Sequence, residues 1–134
     1  MARVVVSTSE LPLLVPPGRE AMQGRHLLEG QKFGLEHLTV TLGESPPGQF
    51  TRLHHHDAEE IIIVHAGRGS YTVGETTVEA GPGDVILIPS GVPHRWANNG
   101  EIPLVHTAVF STDTFAMAVD DEPPAHPGDT SNSE

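Results

Sequence analysis

Glycine and proline punctuate this chain so closely that few segments have room for more than a short strand. Fourteen glycines and twelve prolines are spread over 134 residues. The runs between them are rich in β-branched residues, as in EIIIVH at 60–65, VILI at 85–88 and LVHTAVF at 104–110. None sustains a helical period. The expectation is an all-β sandwich or barrel of short strands joined by turns.

Read in order, strands are expected at 4–7 (an edge), 13–15, 33–42, 50–54 and 60–65. A hairpin follows, 69–73 with 76–79 around Gly74-Glu75, then strands at 85–88, from His94 onward, and at 104–111. The length suits one hydrophobic core, and no internal repeat divides it. The last sixteen residues, VDDEPPAHPGDTSNSE, are acidic, proline-rich and nearly free of apolar side chains. Such a segment cannot bury enough surface to offset its ordering entropy. The expected organisation is therefore a domain over 1–118 and a disordered acidic tail over 119–134, with His126 in the tail a poor ligand candidate.

The net charge of −11 argues against nucleic-acid binding, which needs a basic face to neutralise phosphates. No apolar run is long enough to span a membrane and no signal-peptide pattern opens the chain, so a cytoplasmic protein without membrane contact is the expectation. There are no cysteines, hence no disulfide framework and no thiol chemistry.

Histidine and acid converge on two stretches. In GQFTRLHHHDAEE (48–60), His54 and His56 are two residues apart and leave the same face of a strand. Glu60 keeps that parity unless the Asp57-Ala58 step is a turn that resets it. Alternation sends His55 to the opposite face and makes Glu59 a solvated surface charge. His94 comes from a separate strand in GDVILIPSGVPHRWAN (83–98). Three neutral imidazoles and a carboxylate suit one borderline divalent transition metal: iron, nickel, zinc, copper, cobalt or manganese. Four protein ligands leave an octahedral ion two open positions. A structural zinc site is normally closed and often thiolate-bound. The expected metal ligands are His54, His56, Glu60 and His94, in a site built for ligand exchange.

The two stretches resemble the paired signature motifs of the cupin family, G-x5-H-x-H-x3-E-x6-G and G-x5-P-x-G-x2-H-x3-N. Gly48, His54, His56, Glu60 and Gly67 match the first, and Gly83, Pro89, Gly91, His94 and Asn98 the second. The short spacer between them is similar to that of small single-domain bacterial cupins. The resemblance implies a cupin-type jelly-roll β-barrel and the same four metal ligands. It does not choose a reaction, because cupins include dioxygenases, decarboxylases, isomerases, cyclases, sugar sensors and storage proteins. Gly67, Gly83 and Gly91 are expected at positive φ, and Pro89 at a strand end; these are scaffold positions.

Around the metal, Ile62 and Val64 share parity with Glu60 and are expected to form an apolar wall. Trp96 shares parity with His94 and either covers the pocket or fills the core. Arg52 shares parity with His54 and is a candidate to hold an anionic group of the substrate. His106 and Phe110 lie on the last strand, which in cupins contributes to the barrel interior. His106 is thus a candidate acid/base or further ligand, and Phe110 a substrate contact; Tyr71 and His37 are weaker candidates. Glu60 is also a candidate base if it detaches from the metal. The expected function is metal-dependent chemistry on a small organic substrate, either dioxygenase-type oxidation, as in quercetinase-like cupins, or metal-assisted cyclisation or isomerisation, as in polyketide-cyclase-like cupins. The alternative is a non-catalytic cupin that binds a small molecule. The apolar Val4-Val5-Val6 edge suggests a homodimer.

Overall fold

A computed structural model describes residues 3–17 and 20–120. Among the described residues, ten strands form two five-stranded antiparallel sheets. In chain order they are β1 (Arg25–Glu29), β2 (Thr39–Ser45), β3 (His54–His55), β4 (Glu60–Ala66), β5 (Gly69–Val73), β6 (Thr76–Ala80), β7 (Val85–Ile88), β8 (His94–Ala97), β9 (Leu104–Phe110) and β10 (Ala118–Val119). One sheet runs β1-β2-β9-β4-β7 and the other β10-β3-β8-β5-β6. The jelly-roll expectation holds.

Alternation of side chains across each strand divides inside from outside. On β9, Leu104, His106, Ala108 and Phe110 are buried while Val105, Thr107 and Val109 are only half-buried. On β4 the buried set is Glu60, Ile62 and Val64. The apolar members of both sets meet Tyr71, Ile86, Ile88 and Trp96 in one core. Full burial of a side chain such as Ile62, 1 % exposed, stabilises the fold by roughly 1.5–3 kcal/mol.

Turn chemistry sets the ends. Gly67, Gly83 and Gly91 all have positive φ, as expected. At Gly67 a Cβ would collide with the Pro103 carbonyl, so this turn tolerates no side chain at all. Asn98 is fully buried and works as a clamp: its Nδ2 donates to the Ser45 and Ile102 carbonyls and its Oδ1 accepts from the Gly100 amide.

Four expectations about strands fail, among them 50–54, where Phe50 makes only a bridge to Ala97 and β3 opens at His54. Residues 4–7 form no strand, and Val4 and Val5 are 93 % and 75 % exposed; they pair with no strand among the described residues. Over 13–15 only Leu13 makes a bridge, to His26. Conversely β1 was not anticipated, and the strand expected at 33–42 begins only at Thr39, after a 3-10 turn over Gly30–Phe33. The expected boundary between domain and tail falls within β10, whose Val119 pairs with His54. Residues 121–134, and His126 with them, lie outside the described residues.

Candidate metal centre

His54 and His94 are directly opposed partners on β3 and β8. His56 follows β3, and Glu60 opens β4. All four are buried. The imidazoles are locked by the same device: Nδ1 of His54 donates to the Arg52 carbonyl (2.6 Å), that of His56 to the Ala116 carbonyl (2.6 Å) and that of His94 to the Val92 carbonyl (2.9 Å). A carbonyl can only accept, so each Nδ1 carries the proton and each Nε2 keeps a lone pair. Such outer hydrogen bonds fix tautomer and ring orientation for metal binding. One ring nitrogen from each histidine lies within 4.8 Å of the other two.

Glu60 faces the same point. Its Oε1 is 3.0 Å from His94 Nε2 and 3.4 Å from His56 Nε2. Neighbouring ligands on one ion, each about 2.1 Å from it, stand about 3 Å apart. Oε1 of Glu60 and Nε2 of His94 are also buried without a hydrogen-bond partner. Two lone-pair-bearing atoms turned towards each other in a dry site are costly unless a cation lies between them. The donor set therefore fits a divalent metal ion.

Electrostatics agree with that reading at two of the three imidazoles. Burial, aided by the neighbouring His94, pulls His54 down to about 3, and burial also lowers His56, so both are neutral donors at ordinary pH. At His94 burial opposes protonation, but the Glu60 carboxylate outweighs it and raises the imidazole.

The four residues line one cavity. Arg52, Trp96 and Phe110 line it. Trp96 also packs edge-on against His106, with ring centroids 4.7 Å apart. Three other expected residues do not line it. Ile62 and Val64 face inward and are buried in the core without lining the cavity. His106 is fully buried behind Trp96, hydrogen-bonded to the Tyr71 hydroxyl (2.7 Å), and is not part of the ligand cluster. Burial and the Arg25 charge hold it well below the usual imidazole range. Tyr71 is thus a partner of His106, while His37 is exposed beside Glu36. His55 points away from the ligands and bonds Asp120, and Glu59 is exposed, both as alternation required.

Several lining residues were missed. Leu14, Met22, Phe115 and Met117 add apolar wall, and Arg25 and Thr41 add polarity. The only sequence signal for Arg25 is a short run between Gly24 and Gly30, too polar to read as a strand.

A family model of the cupin domain matches residues 41–110. The chain belongs to the cupin family. It is 42 % identical over 60 residues to an uncharacterized protein of Methanocaldococcus jannaschii, covering 44 % of this chain and 48 % of that one. It is 36 % identical over 67 residues to a dimethylsulfoniopropionate lyase of Ruegeria pomeroyi, covering 49 % and 33 %. Among solved structures, oxalate decarboxylase of Bacillus subtilis superposes with a TM-score of 0.71 at 22 % identity, over 84 % of this chain and 30 % of that one; another structure of that enzyme concerns its Mn(II) centers. The cupin chain spans less than half the length of each of these proteins.

Proposed function

We propose that this cupin is a divalent-metal-dependent enzyme acting on a small organic substrate, by dioxygenase-type oxidation or by metal-assisted cyclisation or isomerisation. The observation that carries the reading is the set of three Nδ1-locked imidazoles and Glu60, converging in one largely apolar cavity. His54, His56, His94 and Glu60 would hold the ion. A bound divalent metal supplies a Lewis acid for a carbonyl or enolate oxygen, or a site for dioxygen. The chain does the rest. Trp96, Phe110 and Phe115 would present apolar wall to a bound substrate, and displacing water there would strengthen polar interactions inside. Glu60, the carboxylate of the cluster, takes or returns a proton at its oxygen. The relatives named as a lyase and a decarboxylase support a metal cupin enzyme in general and choose neither reaction.

Metal analysis of protein purified without oxygen, beside His54→Ala and Glu60→Ala, tests the proposal. Near-stoichiometric iron, nickel or copper that is lost in the variants directs the substrate screen to oxygen consumption. Zinc, cobalt or manganese directs it to cyclisation or isomerisation of diketone and polyketide-like compounds. A wild-type protein that takes up no metal after reconstitution, or a turnover that survives His54→Ala unchanged, overturns it.

The homodimer is also retained as a proposal, at a different surface. Leu28, Val40, Val109, Ile61 and Leu87 are in register across β1, β2, β9, β4 and β7. They form an aliphatic row on the outer face of that sheet, with Ile61 38 % and Leu87 69 % exposed. A flat row of this kind pairs with its own copy about a two-fold axis. Light scattering should give a dimer that Leu87→Glu converts to monomer; a concentration-independent wild-type monomer removes the idea.

A further inference from the structure

Arg25 is the one fully buried cation among the described residues, at 1 % exposure. It enters the interior from the first residue of β1 and lines the same cavity as the metal centre. Its Nη1 donates to the His106 carbonyl (2.6 Å) and the Gly43 carbonyl (3.1 Å), and its Nη2 to Thr41 Oγ1 (2.8 Å). These acceptors come from β2 and β9 and fix the plane of the guanidinium. They are dipoles, however, and among the described residues no carboxylate lies within ion-pairing distance of Arg25. Among the described residues, Nε is buried with no acceptor, and Nη2 has one acceptor, Thr41 Oγ1, for its two hydrogens.

A buried guanidinium with neither counter-ion nor a full set of acceptors is expensive to keep. A hydrophobic residue would fill the position at less cost if packing were its only role. Glu60 contributes a field at Arg25 but no contact, and that carboxylate is already directed to the metal ligands. The unused N–H groups form the edge of a planar fork, the geometry that matches a carboxylate.

We infer that Arg25 is the anion-binding group of the cavity, and that the substrate is a small organic carboxylate bearing a second oxygen donor for the metal. The inference rests on the metal-dependent reading above, and it assigns the two ends of the substrate: the acid to Arg25, the other oxygen to the metal. Arg52, which also lines the cavity, is only half-buried and has interactions of its own.

The test compares acetoacetate with its uncharged analogue acetylacetone by calorimetric titration of the metal-loaded protein. Wild type should bind acetoacetate more tightly. Arg25→Gln should weaken acetoacetate about ten- to a hundredfold, leave acetylacetone and metal content unchanged, and show only partial recovery in Arg25→Lys, which restores charge without the fork. Arg95→Gln, an equal charge loss on the exposed face of β8, should change nothing. A purely structural role would lower the melting temperature without altering the preference between the two compounds. Equal affinity for both in wild type overturns the inference without any variant, so a misfolded Arg25→Gln cannot shelter it. Metal stoichiometry is read separately. Its failure refutes the metalloenzyme reading, whereas intact metal with no carboxylate preference refutes only the role of Arg25.

Discussion

Two buried polar clusters share one barrel and are built in opposite senses. At the metal centre, three histidines spend their N–H groups outward on carbonyls and turn lone pairs inward, beside a carboxylate. Around Arg25 the carbonyls and the hydroxyl are turned inward on a guanidinium that the chain itself supplies. The first is a ring of acceptors facing one point; the second is a donor with acceptors on part of its edge. Both line one cavity. The contrast teaches that unsatisfied polarity in a dry interior carries a sign, and the sign indicates what complements it: a cation at one end, an anion at the other.

The largest effect expected comes from breaking the first cluster alone. His94→Ala removes one imidazole of the ring, the one nearest Glu60. Since losing even an outer hydrogen bond to a metal ligand weakens binding about 10–100-fold, losing the ligand should exceed that. Metal content by elemental analysis should fall from near one per chain towards zero. The Arg25 cluster should be untouched, so the thermal melt of the metal-stripped variant should match that of metal-stripped wild type. Stoichiometric metal in His94→Ala would mean that the convergent geometry is not a metal site.

Tyr71→Phe probes the second cluster. It deletes the hydroxyl that satisfies His106 Nδ1 in a fully buried position. Leaving that nitrogen without a partner should cost about 1–3 kcal/mol of unfolding free energy, measured by denaturant titration. Metal content should stay at the wild-type level, because His106 lies behind Trp96 and outside the ligand set. A parallel loss of metal would show that the two clusters act as one unit, and the comparison would then have to be redrawn.

The same contrast marks what the chain discloses before folding. His54, His56, Glu60 and His94 were legible because local spacing carries them: two-residue parity on strands and turn residues at fixed offsets. The glycines at 67, 83 and 91 were legible for a similar reason, since each marks a turn with positive φ. Arg25 was not. Its strand pairs Arg25 with Gly43 and His26 with Leu42, and its inward end is a cation, so no apolar alternation announces it. Ile62, Val64 and His106 fail in another way. Parity gave the correct side of the sheet for Ile62 and Val64, and the family resemblance gave it for His106, yet neither tells how far along the barrel a side chain lies, and none of the three lines the cavity. The Val4-Val5-Val6 run fails because β propensity supplies no partner edge.

The smallest effect expected concerns the segment that closes over the metal side. Residues 111–119 are tied down at several points: the Gln31 amide donates to the Asp113 carbonyl, the Phe115 amide to Glu29 Oε2 (2.9 Å), and His56 Nδ1 to the Ala116 carbonyl. Glu29 is the ionisable member outside the cluster. The Phe115 amide, and then Lys32, hold its carboxyl below the usual carboxylate value. A depressed folded-state value means that its contribution is present in full above the unfolded carboxyl pKa and is lost as pH falls through the folded one. Acidification should therefore loosen the Phe115 amide first, seen as faster hydrogen exchange there, while core amides on β4 and β9 stay protected. Glu29→Gln keeps an acceptor but not the charge, so it should remove that pH dependence and leave metal content unchanged. Because the Ala116 carbonyl orients His56, a variant that also lost metal would mean that this strap, and not only the ring of imidazoles, sets the geometry of the ligands.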